Sequence, residues 1–249
     1  MKERLEHRTI TDLVDANYIY ASVLYYFGIE FYNYSEHTLA DACKTKGLDV
    51  KSVVARLEAG TADSNDVAID ELPIDLIVEY LKHAHFLFIK QKMPYLSKLI
   101  EKLSFSSHQY HHVIKDLKFV FPLFVEDFIH HIYEEEDTLF SYIMKLSAYS
   151  KGRMSASRLY FEMERNGLRE FAADHEEHDD EMEGIRQITD NYYIADDTPL
   201  HLKVIFSELR GLEAELKTHA DVENNILFPK ALQLEQDVIN SIQSKIRLN

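Results

Sequence analysis

The chain has 249 residues, of which 46% are apolar, with 27 basic and 43 acidic side chains and a formal net charge of −16 at pH 7. That apolar share can bury a sizeable core and excludes a disordered or collagen-like chain, while the acidic excess makes nucleic acid and membrane surfaces poor partners. Cys43, the single cysteine, excludes an intramolecular disulfide and any thiolate metal site built by this chain alone.

Met1 to Ile10 is charged and lacks the apolar stretch of a signal peptide, and no run of about 18 apolar residues follows. A soluble protein is expected, cytoplasmic if bacterial. Only seven Gly and five Pro are present, a scarcity of turn formers that favours helices over many short strands. Residues 9–60 read as a small helical unit. Its first helix runs from Ile10 through Leu13, Val14 and Asn17–Phe27 to Gly28, its second from Thr38 to Lys46 before Gly47, and its third from Val50 to Ala59, capped by Asp49. The small polar stretch Thr61–Asp66 is the best linker, which divides the chain into a domain over 1–62 and a second over 67–249.

Pro73 suits the first turn of a long helix, where its missing N–H would be unpaired anyway. Four long helices are predicted at about 73–103, 110–148, 155–190 and 198–230, followed by a tail helix to about 247. Apolar residues recur at helical spacing, as in Ile77, Leu81, Phe88 and Leu99, or Phe124, Phe128, Ile132 and Leu139. Pro94 and Pro122 fall inside this pattern and are read as kinks or boundaries. Four helices with short connections argue for an all-α, antiparallel four-helix bundle.

Two segments of the bundle share the pattern H-x3-E-x3-L-F: His131 to Phe140, with Glu135 and Leu139, and His219 to Phe228, with Glu223 and Leu227. Residues four apart lie one turn above each other on a helix, so each His and Glu can reach one metal, with the Leu packing beneath. A His followed four later by an acid occurs six times in this chain, and about two such pairs would arise by chance, so the shared Leu-Phe extension carries the signal. His85 stands 46 residues before His131, and His175 stands 44 before His219. Each half therefore offers a His on one helix and His-x3-Glu on the next, and two docked hairpins would bring four ligand-bearing faces together. Imidazole and carboxylate donors suit iron or manganese, and also zinc. His83 and His178 compete with His85 and His175. His108 is a fifth candidate, and it would stand about 34 Å from His85 on one straight helix, so it joins the site only if the chain turns back near Ser104–Ser107. His111, His112, His130 and His201 are read as surface groups or as groups beside the ligands. No residue can be assigned as an acid or base.

At these residues the chain resembles the iron–sulfur cluster repair di-iron proteins, also described as regulators of cell morphogenesis and nitric oxide signalling, which carry a hemerythrin-like HHE bundle. The family helix H-M-x-x-E-E-x-x-L-F is matched by His131 to Phe140, and its last motif, H-x-x-x-E-N-N-x-L-F-P, by His219 to Pro229. The helix from E-H-D to I-R-x-L-T is matched by Asp174-His175-Glu176 through Ile185 to Thr189, and H-x-x-x-x-R-E-x-L-P by His85 to Pro94. The resemblance implies a hemerythrin-like four-helix bundle with a small helical N-terminal domain. It implies two iron ions in an oxo- and carboxylate-bridged di-iron centre, held by His85, His108, His131, His175 and His219 and bridged by Glu135 and Glu223. It implies a role in nitrosative or oxidative stress, with O2 or NO as small ligand, damaged iron–sulfur proteins and a redox partner as contacts, and a homodimer allowed. A hemerythrin-like O2 or NO sensor or carrier would use the same ligands. The family's F-G-I-D-F-C-C-G-G is matched by Phe27 to Ser35, and T-L-A-E-A-C by Thr38 to Cys43, but Tyr32 and Asn33 stand where the paired cysteines would be. A thiol-dependent step at that motif is thereby put in doubt.

Overall fold

The computed structural model describes residues 4–59, 68–104, 109–163, 168 and 182–247. Candidates His108, His175 and His178 lie outside them. Among the described residues the secondary structure is helical, with no strand beyond one isolated bridge between Thr9 and Thr38.

The first compact unit comprises residues up to Asp66 together with Met93–Val120 and Ile185–Glu213. Four short helices open it: α1 (Ile10–Ala16), α2 (Ile19–Tyr26), α3 (Leu39–Lys46) and α4 (Val50–Ala59). Thr9 and Thr38 cap α1 and α3 by accepting the N–H of Asp12 and Asp41, and Asp49 accepts the N–H of Ser52 at the start of α4. Gly47 closes α3 at φ +68°, a left-handed position costly for any residue with a Cβ. Beside these helices lie α6 (Met93–Glu101) and the Leu200–Glu213 part of the long helix α11 (Leu200–Val222). Lys98 pairs with Glu30, Tyr25 packs on Tyr95 at 4.7 Å, and Tyr32 stacks on His201 at 5.0 Å and 8°.

The motif around Arg186 and Thr189 proves structural in this unit. It spans the end of the short helix α10 (Glu183–Ile188). Arg186 donates to the buried Glu213 at 2.8 Å, and the Thr189 hydroxyl donates to the Ile185 carbonyl while accepting the N–H of Tyr192. Asp190, Asn191 and Tyr192 follow with φ of 48°, 56° and 58°. Three left-handed residues in a row are strained, and Arg210 holds the turn by donating to the Tyr192 carbonyl at 2.8 Å.

The second unit comprises Val67–Lys92, Phe121–Gly184 and Ala214–Asn249. It contains α5 (Ile74–Leu87), the Phe121–Glu134 part of α7 (His111–Glu134), α8 (Ser141–Ser150), α9 (Ala156–Met163) and α12 (Phe228–Arg247). Ile77, Val78 and Leu81 of α5, Ile143 and Leu146 of α8, and Ala231 and Val238 of α12 share one core with Leu139, Phe140, Leu227 and Phe228.

Among the described residues three π-helical turns interrupt the long helices, at Phe88–Lys92, Glu135–Phe140 and Glu223–Leu227. A π turn inserts one residue and rotates the side chains beyond it by about 100°. Here the structure departs from the expected boundaries. The helix read as ending near 230 runs on through its π turn to Arg247 with no break. Pro94 and Pro229 do not end helices either. Each follows a π turn, so the carbonyl four residues back, at Lys90 or Asn225, lies where the regular ladder is already interrupted. Pro122 lies inside α7, also without a break.

His201, expected at the surface or beside the ligands, packs inside the first unit against Phe31 and Tyr32. Burial, with the charge of Lys118, pushes its pKa down to about 4 against a hydrogen bond with the Leu99 backbone. An unfolded histidine takes a proton near pH 6.5. Between the two values the unfolded chain binds the extra proton, so this contribution is intact above about pH 6.5 and is lost as pH falls through about 4. We expect a loss on the order of 2–3 kcal/mol across that window. Urea unfolding at a series of pH values should show a shallower acid slope for His201→Phe; parallel curves would contradict this assignment.

Candidate metal centre

Of the five expected ligands that lie among the described residues, the structure brings four into one group. One donor atom from each of His85, Glu135, His219 and Glu223 lies within 4.8 Å of the others. All four belong to the second unit. His85 comes from the last turn of α5, Glu135 opens the π turn after α7, His219 sits in the last turn of α11, and Glu223 opens the π turn after it.

Nε2 of His85 stands 3.0 Å from Nε2 of His219 and 3.4 Å from Oε2 of Glu135. Nε2 of His219 is 3.2 Å from Oε1 of Glu223, its i+4 partner. His85, Glu135 and Glu223 are buried, and the His219 side chain keeps 10% exposure. His131 lies at the rim: its Nε2 is 3.4 Å from Oε1 of Glu135, yet its side chain is 36% exposed. The structure therefore places His131 against the second oxygen of Glu135, outside the tight group of four. His83 is exposed and Phe86 is 54% exposed, so on α5 it is His85 that turns inward. His111, His112 and His130 are exposed, as expected for surface groups.

The packing around the group explains the Leu-Phe extensions. Leu139 and Leu227 are buried in the core just beyond the ligands. Phe140 stacks on the His85 ring at 5.5 Å and 9°, while Phe88 meets the His219 ring edge-on at 5.7 Å. The Thr138 hydroxyl donates to the Glu134 carbonyl at 2.5 Å within the π turn, a side-chain bond where the backbone ladder is disturbed.

Sequence reasoning missed Glu136. Its Oε1 lies 2.9 Å from Nδ1 of His85, the nitrogen facing away from the group. The signal was present as the second acid of the Glu135-Glu136 pair, but it sits five residues from His131 and so escapes a search for His-x3-Glu.

The donor set fits a metal ion. A cation held there offsets the cost of burying two carboxylates. Donor atoms 3.0 to 3.4 Å apart match the edges of a coordination shell, since ligands at about 2.1 Å stand roughly 3.0 Å apart at right angles and roughly 3.4 Å apart in a tetrahedron. The same demand for positive charge acts on His85. Burial alone would lower its pKa, but the hydrogen bond and charge of Glu135, the hydrogen bond to Glu136 and the charge of Glu223 together raise it.

Residues 76–231 match the family described as Hemerythrin HHE cation binding domain. The chain belongs to that family. The matched range contains all four grouped residues, and the HHE fold is a helical bundle, in keeping with the helical architecture here. Among curated proteins, the chain is 24% identical over 210 residues to the iron–sulfur cluster repair protein ScdA of Staphylococcus epidermidis, covering 82% of this chain and 88% of that protein. It is 19% identical over 211 residues to ScdA of Staphylococcus haemolyticus, covering 84% and 91%. It is 22% identical over 201 residues to the iron–sulfur cluster repair protein YtfE of Yersinia pseudotuberculosis, covering 80% and 85%. No helix among the described residues is long and apolar enough to cross a membrane.

The thiol chemistry of the resembled motif has no counterpart at its positions. Tyr32 packs on His201, and burial followed by the charge of Glu30 pushes its pKa up to about 12. Cys43 is buried, with its thiol pKa raised by burial and then by Asp49, which leaves it a poor nucleophile. For the metal group we expect a rank order. Alanine at Glu135 or Glu223 should weaken metal retention most, about 100-fold or more, and His131→Ala least, about 10-fold. Metal content after a chelator challenge measures it, and equal losses at His131 and Glu223 would break the order.

Proposed function

We propose that this HHE protein is a non-haem di-iron protein of the nitrosative and oxidative stress response that acts in iron–sulfur cluster repair. One observation carries the reading: a buried group of two imidazoles and two carboxylates within 4.8 Å, inside the segment matching a cation-binding family. The repair function named for the ScdA and YtfE relatives, each covered over most of its length, supports the same reading.

In this reading His85, His108, His131, His175 and His219, with Glu135 and Glu223, would hold two irons. The centre would supply one-electron redox change and reversible coordination of O2 or NO. The chain's own part is to bury the centre and limit access to it. Phe140 stacks on the His85 ring and shares the buried core with Leu139, Leu227 and Phe228. Repair would proceed by iron donation or by NO reduction, with damaged iron–sulfur proteins and a redox partner as contacts, in the cytoplasm, and with a homodimer compatible. The division into a helical domain over 1–62 and a bundle over 67–249 belongs to the same proposal.

One observation favours a second reading, a non-catalytic O2 or NO sensor or carrier. Tyr32 and Asn33 replace the paired cysteines of the resembled motif, so a repair step that depends on those thiols could not run here. Mössbauer spectroscopy with metal analysis on protein as isolated should give two coupled irons per chain, and zinc alone would overturn the di-iron reading. Reduced protein mixed with NO in a single turnover separates the remaining two. Release of N2O supports reduction, whereas gas retained without N2O supports the carrier.

A further inference from the structure

We propose that Glu136 is the positioning residue of the metal centre, holding His85 in the Nδ1–H tautomer so that Nε2 presents its lone pair to the metal. The inference rests on the metal reading above and adds a residue to it.

A neutral imidazole can offer a lone pair at one nitrogen only if the other carries the proton. An ionised carboxylate only accepts hydrogen bonds, so at 2.9 Å from Nδ1 the Glu136 carboxylate stabilises the N–H there. Nε2 is then the free donor, and it is the nitrogen that stands 3.0 Å from His219 Nε2 and 3.4 Å from Glu135 Oε2. Phe140 fixes the plane of the ring by parallel stacking at 9°. One contact sets the tautomer and the other sets the tilt. Glu135 and Glu136 are consecutive at the start of a π turn, so one carboxylate reaches the front of His85 and the next reaches its back.

Among the described residues His219 has no such backing. Its Nδ1 is buried without a hydrogen-bond partner among the described residues. The second repeat carries Asn224 where the first carries Glu136, so a carboxylate follows the ligand Glu in one motif only. The two imidazoles of the group are therefore unequal: a carboxylate backs Nδ1 of His85, and none among the described residues backs Nδ1 of His219.

Glu136 can be replaced without opening the core. Its side chain is 29% exposed and forms part of the wall of a surface groove of about 410 Å³, with Lys82, Ser141 and Lys145. Glu136→Ala and Glu136→Gln separate the roles, because the glutamine oxygen still accepts a hydrogen bond but carries no charge. In metal-free protein at mildly alkaline pH, histidine 15N NMR should show a proton held at His85 Nδ1 in the native chain and in Glu136→Gln. Glu136→Ala should shift it toward Nε2–H and leave His219 unchanged. In iron-loaded protein, a chelator challenge should remove metal about 10-fold faster from Glu136→Gln and up to about 100-fold faster from Glu136→Ala. An unchanged His85 tautomer in Glu136→Ala, or native metal retention in both variants, overturns the proposal. Failure of the native chain to take up iron would instead overturn the metal reading, and the tautomer measurement would still decide whether Glu136 sets His85.

Discussion

Two glutamates and two histidines converge in an apolar interior, and the carboxylates need positive charge beside them. Glu135 and Glu223 are buried beside His85, His131 and His219. In such surroundings a carboxylate must meet a cation, a proton or several hydrogen-bond donors. The raised pKa of His85 is one response to that demand, and a bound metal is the fuller one. The same constraint accounts for the packing nearby, because a stacked phenyl ring and a second carboxylate hold the His85 ring in place.

The π turns tie the backbone to this chemistry. Two of the three open on a grouped glutamate, and the third begins three residues after His85. A regular helix would carry its side chains past the group at a fixed 100° step. The inserted residue resets that step beyond each ligand Glu, and the Leu and Phe that follow lie in the core. Such insertions sit at functional sites because they sacrifice regular hydrogen bonding for placement.

The first unit shows how a chain can depart from a family pattern without losing its fold. Where the resembled motif has paired cysteines, Tyr32 fills space by stacking on His201, and Phe31 is buried beside it. Caps at Thr9, Thr38 and Asp49 and the closing Gly47 remain. Packing and capping tolerate the exchange of a thiol for an aromatic ring; thiolate chemistry does not. That contrast is why the carrier reading keeps weight beside repair.

Helical character, the caps and the paired His-x3-Glu motifs were legible in the sequence because each depends on residues within a turn or two of each other. The inward turn of His85 rather than His83 was not, because both lie on the same helix and only the packing of Phe140 and Glu136 around one of them chooses between the two. The rim position of His131 and the continuity of the last helix through Pro229 were equally hidden. A π turn shifts every later side chain around the helix axis, as before Pro229, and apolar periodicity does not announce it; His131 precedes its π turn, and its exposure depends on packing across helices. Glu136 was hidden for a related reason: its partner is 51 residues away in the chain. Local spacing by itself determined which residues could be ligands. The tertiary structure decided which of them meet and what stands behind them, because contacts across helices depend on rotation and packing that no local pattern encodes.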